Sequence, residues 1–250
     1  MLLAIDVGNT QTLIGLFDED ELVDHWRIVT VAERTSDELA LLLRQFVGWH
    51  DLTTREGAPE KGRWAIAVSS VVPRVTASLR EMAERHFGAV PCIIEPGVRT
   101  GMPILYENPK EVGADRIANA VAAYDLYGGP TIVVDFGTAT TLDAVSARGE
   151  YLGGAIIPGI EVSMDALFGR AAGLRKVELV TPRNVIGKST VESIQSGALF
   201  GFTGQVDHLV SLFVEELGPS TVIATGGLAS LIAPLSNTIV HTEPWLTLYG

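Results

Sequence analysis

The chain has 250 residues, 47% of them hydrophobic and 19% charged, which is typical of a globular protein with one large domain or two compact lobes. Its formal net charge of −12 disfavours nucleic acids and anionic membranes as partners, because such a surface repels phosphate groups. The single cysteine excludes a disulfide within the chain, and the N-terminus lacks a signal-peptide pattern, so we expect a cytoplasmic protein.

Hydrophobic periodicity predicts strands and helices that alternate along the chain. In the first half we predict a strand, turn and strand over 2–17, helices over 36–49 and 76–87, and strands over 64–72 and 90–94. In the second half we predict a helix over 115–127, a strand, turn and strand over 131–145, a mostly helical segment over 190–217, a strand over 221–225 and a short helix over 228–235. Segments 51–62 and 95–111 contain Pro or Gly and are predicted loops. This alternation favours an α/β fold with central sheets.

The segment 217–242 carries no formal charge and is long enough to cross a bilayer. Glycines and prolines interrupt it, however, and Ser, Thr and Asn are scattered along it. We therefore expect a strand, a glycine turn and a short helix there, and no membrane span.

Two segments about half the chain apart repeat one pattern. LLAIDVGNTQTLIGLF at 2–17 and TIVVDFGTATTLDAV at 131–145 both contain an apolar strand, an aspartate, a glycine turn and a second strand. Asp6 and Asp135 occupy equivalent places in the two segments. A duplication of lobes explains this spacing better than chance does.

The first of these turns has the chemistry of a phosphate-binding loop. Gly8 lets backbone N–H groups approach phosphate oxygens closely, and Asn9, Thr10 and Thr12 add side-chain donors. Asp6 offers a hard carboxylate oxygen that suits Mg²⁺. The first copy alone is explained equally well by an ordinary β-hairpin turn. The second copy, DFGT at 135–138, favours two facing phosphate hairpins that form a cleft between lobes.

Two further glycine-containing segments are less specific. The glycine pair 226–227, which follows a predicted strand, is typical of a cradle for adenosine or its phosphates, but an ordinary strand-to-helix turn is equally consistent with it. The sequence GKST at 187–190 resembles the end of a P-loop, although Pro182 stands where that motif needs its first glycine. We therefore interpret GKST as the cap of the following helix, with polar side chains available to a ligand.

The motif GADR at 113–116 opens an alanine-rich predicted helix. An aspartate at a helix N-terminus can accept the proton of a substrate hydroxyl, and the adjacent arginine can hold a carboxylate. The alternative is that Asp115 only caps the helix and that Arg116 faces solvent. The preceding segment 106–112 has the composition of a binding loop and favours the functional interpretation.

Zinc chemistry and serine hydrolase chemistry are both disfavoured. The five histidines show no metal-ligand spacing, and a single cysteine cannot complete a zinc site. The sequence contains no GxSxG motif.

Taken together, DVGNT at 6–10, GADR at 113–116, DFGT at 135–138 and GGAIIPG at 153–159 resemble the type III pantothenate kinases over essentially the whole chain. The resemblance implies two duplicated actin-like (ribonuclease H-like) lobes, 1–118 and 119–250, with central mixed sheets and an ATP cleft between them. It also implies ATP-dependent phosphorylation of pantothenate to 4'-phosphopantothenate, the first step of coenzyme A biosynthesis.

The resemblance further assigns roles to individual positions. It implies that Asp115 accepts the proton of the pantothenate hydroxyl, that Asp6 lies near Mg²⁺, and that Asp135 holds a monovalent cation, K⁺ or ammonium. The implied ATP-binding residues are Asp6, Val7, Gly8, Asn9, Thr10, Gln11, Thr12, Leu13 and Thr138. The implied pantothenate-binding residues are Tyr106, Gly113, Ala114, Asp115, Arg116 and Thr190.

The resemblance also implies a homodimer in which Thr190 of one protomer lines the pantothenate site of its neighbour. The predicted helix after Thr190 carries more apolar surface than one lobe obviously requires, at Ile194, Ala198, Leu199, Phe200 and Phe202. The alternative is that these residues fill the core of the C-terminal lobe. For the function, the alternatives are another small-molecule kinase or a non-catalytic regulator on the same scaffold.

Overall fold

The computed structural model describes residues 1–54, 64–95, 98–171 and 173–250, with the backbone alone for 49–54. These residues form two compact units. The first unit comprises Met1–Thr100, Asn108–Ala118 and Thr247–Gly250, and the second comprises Gly101–Glu107 and Asn119–Leu246. Of the loop predicted at 51–62, residues 51–54 are helical and the rest lies outside the described residues.

The first unit is built on a five-stranded mixed sheet in the order β3-β2-β1-β4-β5. Strands β1, β2 and β3 form an antiparallel meander, and β4 and β5 run parallel to β1. Its elements are β1 (Leu2–Val7), β2 (Gln11–Asp18), β3 (Glu21–Val29), α1 (Ser36–Thr54), β4 (Ala65–Ser70), α2 (Pro73–Met82), a π-helical turn (Ala83–Phe87), β5 (Cys92–Ile93) and a 3₁₀ turn (Pro109–Glu111).

Local sequence signals explain the helix starts in this unit. Thr35 and Glu38 form a capping box, in which the Thr35 hydroxyl accepts from the Glu38 N–H and the Glu38 carboxylate accepts from the Thr35 N–H. Helix α2 starts at Pro73, earlier than the predicted residue 76, because proline is well tolerated in the first helical turn. Both helices pack apolar side chains against the sheet.

The second unit has an equivalent sheet, in the order β10-β9-β6-β7-β8. Strands β6, β7 and β8 form an antiparallel meander, and β9 and β10 run parallel to β6. The elements that follow β5 are α3 (Ala114–Tyr127), β6 (Thr131–Phe136), β7 (Ala139–Val145), β8 (Tyr151–Pro158), α4 (Ile160–Arg170), α5 (Thr190–Leu217), β9 (Thr221–Thr225), α6 (Ala229–Ile232), a 3₁₀ turn (Ala233–Leu235), β10 (His241–Thr242) and α7 (Leu246–Tyr249). The two sheets therefore repeat one topology, as the internal repeat predicts.

Both faces of the second sheet are covered. The core on one face includes Phe136, Leu142 and Leu199, and the smaller core on the other face includes Ala123, Val133 and Leu246. Helix α5 packs on the first of these faces. Ala198 and Leu199 are buried there, and Ile194 and Phe202 pack against the same cluster, so most of the apolar surface ascribed to a dimer belongs to the core of this unit.

The uncharged segment 217–242 contains β9 and α6, as predicted, and also the short strand β10, which was not predicted. None of the helices in the described part of the chain is long and apolar enough to span a bilayer.

Candidate active site

The first hairpin places Asp6 at the end of the central strand of its sheet. Strand β4 lies parallel to β1 with Ser69 directly beside Asp6. The Ser69 hydroxyl donates a 2.8 Å hydrogen bond to Asp6 Oδ1. A hydrogen bond from a neutral donor favours the charged carboxylate, which is the form that a divalent cation needs.

Thr30, just after β3, fixes the turn between β1 and β2. Its hydroxyl donates to the Gly8 carbonyl at 2.8 Å and lies 2.9 Å from the Thr12 hydroxyl, and its N–H donates to the Thr10 carbonyl at 3.0 Å. The Gly8 N–H bonds the Gln11 carbonyl, which closes the turn. The sequence predicts that the Thr12 side chain is a donor to phosphate. In the structure this side chain is buried against Thr30 and is not exposed.

The exposed part of this turn is short. Asn9, Thr10 and Gln11 are exposed, whereas Val7 and Thr12 are buried and Leu13 is half-buried. Ligand contacts from the buried positions are therefore limited to backbone groups.

The second hairpin places Asp135 at the equivalent position of β6. Asn119 of α3 is fully buried and its amide Nδ2 donates a 3.0 Å hydrogen bond to Asp135 Oδ2. The turn is shorter than the first one, since the Gly137 N–H bonds the Ala139 carbonyl. Thr138 at its tip is exposed and can reach a ligand.

Gly226 packs directly against this second carboxylate. A Cβ at Gly226 would lie 2.4 Å from Asp135 Oδ1 and 2.7 Å from the backbone nitrogen of Phe136, and its φ of +91° also favours glycine. Gly137 is less crowded, with a Cβ position 3.6 Å from Asp135 Oδ1. Gly226 therefore joins the second hairpin at Asp135, where any side chain would collide with the carboxylate and the backbone.

The motif GADR forms the first turn of α3. Asp115 Oδ1 accepts from the Arg116 N–H at 2.8 Å, and the helix starts at Ala114, so Asp115 is not the N-cap residue. A Cβ at Gly113 would lie 2.4 Å from Asp115 Oδ1, so a side chain there would displace the Asp115 carboxylate. Arg116 is only 8% exposed, which overturns the alternative of a solvent-facing arginine.

The motif GKST is a helix cap, as predicted. Ser189 is the N-cap of α5 and its hydroxyl accepts from the Glu192 N–H, while the Glu192 carboxylate accepts from the Lys188 N–H. Thr190 is exposed at the first position of the helix. Its side chain is therefore available to a ligand.

The residues fit the two cations that the resemblance implies. Among the described residues, no group of three His, Cys, Asp or Glu side chains is arranged to hold a metal ion. Mg²⁺ at a nucleotide site takes only one or two protein carboxylates and completes its shell with phosphate and water oxygens. Asp6 fits such a carboxylate, and Asp135, with the glycine backbone beside it, offers oxygen ligands of the kind that a monovalent cation takes.

Sequence reasoning missed the three side chains that hold this arrangement. Ser69 and Thr30 follow from the strand order, because each lies on or just after a neighbour in the first sheet. The bond of Asn119 to Asp135 does not follow from the strand order, because it depends on how α3 lies on β6. A buried amide within an alanine-rich helix is the signal that could have indicated it.

Comparisons with known proteins agree with these features. A family model described as type III pantothenate kinase matches residues 2–212. The type III pantothenate kinase of Streptomyces griseus is 58% identical, covering 100% of this chain and 96% of the relative. That of Moorella thermoacetica is 53% identical, covering 100% of this chain and 96% of the relative.

A solved structure gives the fold independently. The ROK hexokinase of Thermus thermophilus superposes with a TM-score of 0.52 at 15% identity, covering 99% of this chain and 96% of that chain. This likeness bears on the fold alone, and it agrees with two actin-like lobes. From the family match and the identities to these relatives, we conclude that the chain belongs to the type III pantothenate kinase family.

Proposed function

We propose that this protein transfers the γ-phosphoryl group of ATP to pantothenate and forms 4'-phosphopantothenate, the first step of coenzyme A biosynthesis. Family membership supports this function. The structural observation that carries it is the repeated hairpin, with one aspartate at the end of each central strand. Phosphoryl transfer needs little covalent chemistry from a protein, so positioning and charge neutralisation dominate.

ATP binds at the two hairpin turns in this proposal. Backbone N–H groups of the turn within residues 6–13, with the exposed Asn9 and Thr10 side chains, donate to phosphate oxygens. Thr138 donates from the second turn. Asp6 would hold Mg²⁺ and Asp135 would hold a monovalent cation, K⁺ or ammonium, and these ions would supply positive charge to the phosphates.

Asp115 acts on the acceptor. Its Oδ1 is held by the Arg116 N–H, and we assign Oδ2 to the hydroxyl of pantothenate, which it orients and finally deprotonates. Gly113, Ala114 and Arg116 shape this turn, and Tyr106 contacts the rest of the acceptor.

We further propose a homodimer in which Thr190 of one protomer lines the neighbour's pantothenate site. Most of the apolar surface of α5 lies in the core, but three apolar side chains near Thr190 are exposed: Val185 at 64%, Ile186 at 75% and Val191 at 48%. Apolar side chains grouped in this way are typical of an interaction surface. Light scattering should report a dimer of the 26.7 kDa chain, and a monomer at micromolar concentration would contradict it.

Shared sites also predict rescue between two inactive variants. Asp115→Asn and Thr190→Arg proteins should regain partial activity after subunit exchange, because one site of the mixed dimer carries both intact residues. Proven exchange without rescue would overturn the shared site but not the function.

An assay of ADP release tests the function itself. We propose that the protein is cytoplasmic, so the assay should be run at near-neutral pH with millimolar Mg²⁺. ADP should form with pantothenate and not with glucose or acetate as the acceptor. Turnover with a sugar or acetate would favour another small-molecule kinase. No turnover with any acceptor would favour a non-catalytic regulator.

A further inference from the structure

The segment Gly101–Glu107 belongs to the second unit, although residues 98–100 and 108–118 on either side belong to the first. Its contact with the second unit is centred on Tyr151, the first residue of β8. The Tyr151 N–H donates to the Pro103 carbonyl at 2.9 Å, and the Leu105 N–H donates to the Tyr151 carbonyl at 2.8 Å. Ile104 forms a parallel bridge with Tyr151 between these two bonds. The segment is thus held as a short extra strand beside Tyr151.

Tyr151 is itself fixed at the tip of its side chain. The ring is fully buried, and its hydroxyl donates a 2.7 Å hydrogen bond to Asp143 Oδ1 on β7. Asp143 is also fully buried, and Asp143 Oδ2 accepts from the Thr141 hydroxyl at 3.2 Å. A hydrogen bond in a buried site is stronger than the same bond in water, because the local dielectric constant is low. Tyr151 therefore gives the segment a rigid support.

The ring of Tyr106 lies over Gly153, two residues further along β8. Gly153 has a φ of +125°, and a Cβ at this position would lie 3.3 Å from Cε2 and 3.4 Å from Cδ2 of Tyr106. The centroid of the Tyr106 ring is 6.3 Å from that of Tyr151. Because Gly153 has no side chain, the Tyr106 ring can pack closely against the backbone of β8 at this position.

We propose that Tyr151 and Gly153 are positioning residues that set Tyr106 against the acceptor, and that they control affinity for pantothenate but not for ATP. The proposal rests on the proposed function, in which Tyr106 contacts pantothenate. Two different contacts constrain Tyr106. Tyr151 fixes the backbone on both sides of Ile104 through two hydrogen bonds, and Gly153 determines how closely the Tyr106 ring approaches β8. A change at either position should therefore move the ring without touching the hairpin turns.

Gly153→Ala is the direct test. Alanine at this φ is strained, and its methyl group is tighter against Tyr106 than ordinary contacts are, so the ring must shift by a few tenths of an ångström. Because small misplacements of binding groups are costly, we expect the KM for pantothenate to rise about tenfold. The KM for ATP should change by less than about twofold, because the substitution does not alter the hairpin turns that bind ATP in this proposal.

Gly149→Ala is the matched control. Gly149 also has a positive φ, +75°, and a Cβ there would lie 2.6 Å from the ring of Tyr124, a tyrosine outside the proposed site. This variant introduces the same kind of strain in the same unit. It should lower the Tm at least as much as Gly153→Ala does and should leave the KM for pantothenate unchanged. A similar KM rise in both variants would reduce the effect to general destabilisation and overturn the proposal.

A double-mutant cycle with Tyr106→Ala decides whether Gly153 acts through Tyr106. Once the ring is absent, Gly153→Ala should raise the KM for pantothenate by less than about twofold, because coupled positions are not additive. A full tenfold rise in the Tyr106→Ala background would overturn the proposal. Calorimetric binding of pantothenate without ATP should follow the same pattern.

Tyr151→Phe is a second variant that keeps the ring and the backbone contacts, in case Gly153→Ala does not fold. It removes only the hydroxyl that bonds Asp143, and we expect a rise of about threefold in the KM for pantothenate, the equivalent of one modest hydrogen bond. An unchanged KM would remove Tyr151 from the proposal. If the wild-type protein shows no pantothenate-dependent ADP release, the proposed function fails. If it does and the variants match it, only this inference fails.

Discussion

The two hairpins share one backbone plan but hold their aspartates in different ways. Each lies at the centre of a five-stranded sheet with the same strand order and directions. Asp6 bonds a serine hydroxyl on the adjacent strand, whereas Asp135 bonds the amide of Asn119 on a helix. Thr30 ties the first turn through hydrogen bonds, and the backbone of Gly226 packs against the second hairpin at Asp135 and Phe136.

The two units differ in the residues around the hairpins and not in the strand order of the sheets. The sheet fixes the position of each carboxylate, and the elements around the hairpin decide what surrounds it. Both of these partners are neutral hydrogen-bond donors. The first carboxylate adjoins an exposed turn that suits phosphates, and the second is packed closely against the backbone of Gly226.

The largest expected loss of activity comes from a substitution outside both hairpins, at Asp115. Asp115→Asn keeps the size of the side chain but cannot accept a proton, so kcat should fall by about 10²–10⁴-fold. Steady-state ADP release measures this loss, and the Tm should stay near that of the wild type. Asp125→Asn, in the exposed last part of the same helix, is the control and should keep its turnover. An active Asp115→Asn variant would reduce Asp115 to a structural role.

Paired substitutions of the two hairpin aspartates should separate their roles. Asp6→Asn should raise the Mg²⁺ concentration needed for half-maximal activity by about 10–100-fold, the range for losing one contributor to a metal site. Asp135→Asn should leave that concentration unchanged and should instead abolish the preference for K⁺ or ammonium over Na⁺. Titrations of each cation at constant ionic strength measure both effects. If the two variants respond alike, the hairpins have one role and not two.

The glycines around Asp135 should differ in their tolerance of alanine. Gly226→Ala combines a left-handed φ with contacts of 2.4 and 2.7 Å, so the free energy of unfolding should fall by about 2 kcal/mol or more. Gly137→Ala meets only ordinary contacts at 3.5 and 3.6 Å and should lower it by less than about 1 kcal/mol. Urea denaturation measures both. Equal losses would mean that the cradle at Gly226 is not tight.

The partners of the aspartates should also rank in order. Asn119→Ala removes a fully buried amide and leaves Asp135 without that donor, which should lower the free energy of unfolding by about 2 kcal/mol. Ser69→Ala removes a smaller group and should cost about 1 kcal/mol. Asn119→Ala should also weaken the stimulation by K⁺, a readout that a purely structural role would not change. The reverse ranking would contradict the comparison.

A pH-dependent contribution to stability is expected from a carboxylate near the edge of the second sheet. Asp207 on α5 accepts from the Ser236 and Thr238 hydroxyls and from the Asn237 N–H just before β10. Burial acts to raise the pKa of Asp207, but these hydrogen bonds together hold it below its usual range. The stabilisation is therefore present above about pH 4 and is lost as the pH falls through the lowered pKa. Asp207→Asn should cost about 1 kcal/mol at pH 7, and the difference should vanish in acid.

The sequence predicts the strongly periodic elements best. The predicted bounds of α5 and β9 match the structure, because a long apolar periodicity with a serine cap and a short β-branched run are each unambiguous. Strands β3 and β8 and helix α4 were not predicted. Strand β3 is mostly half-exposed, and β8 contains two glycines that weaken its strand signal.

The candidate site divides in the same way. The aspartates and turn glycines were visible in the sequence, because their spacing repeats. The partner Asn119 and the support at Tyr151 were not, because their contacts join elements whose approach depends on tertiary packing. The roles of the site residues stay predictions until the substitutions above are measured.

The end of α7 has a consequence for how the chain folds during synthesis. Thr247–Gly250 belong to the first unit, where Leu248 is buried beside Gly15 and the Tyr249 ring meets Phe17 edge-on at 5.5 Å. These contacts span more than two hundred residues of sequence, so a ribosome makes all of β6 to β10 before the first unit can close over β2. The contacts of α7 with β2 can therefore form only after the whole of the second unit has been synthesised.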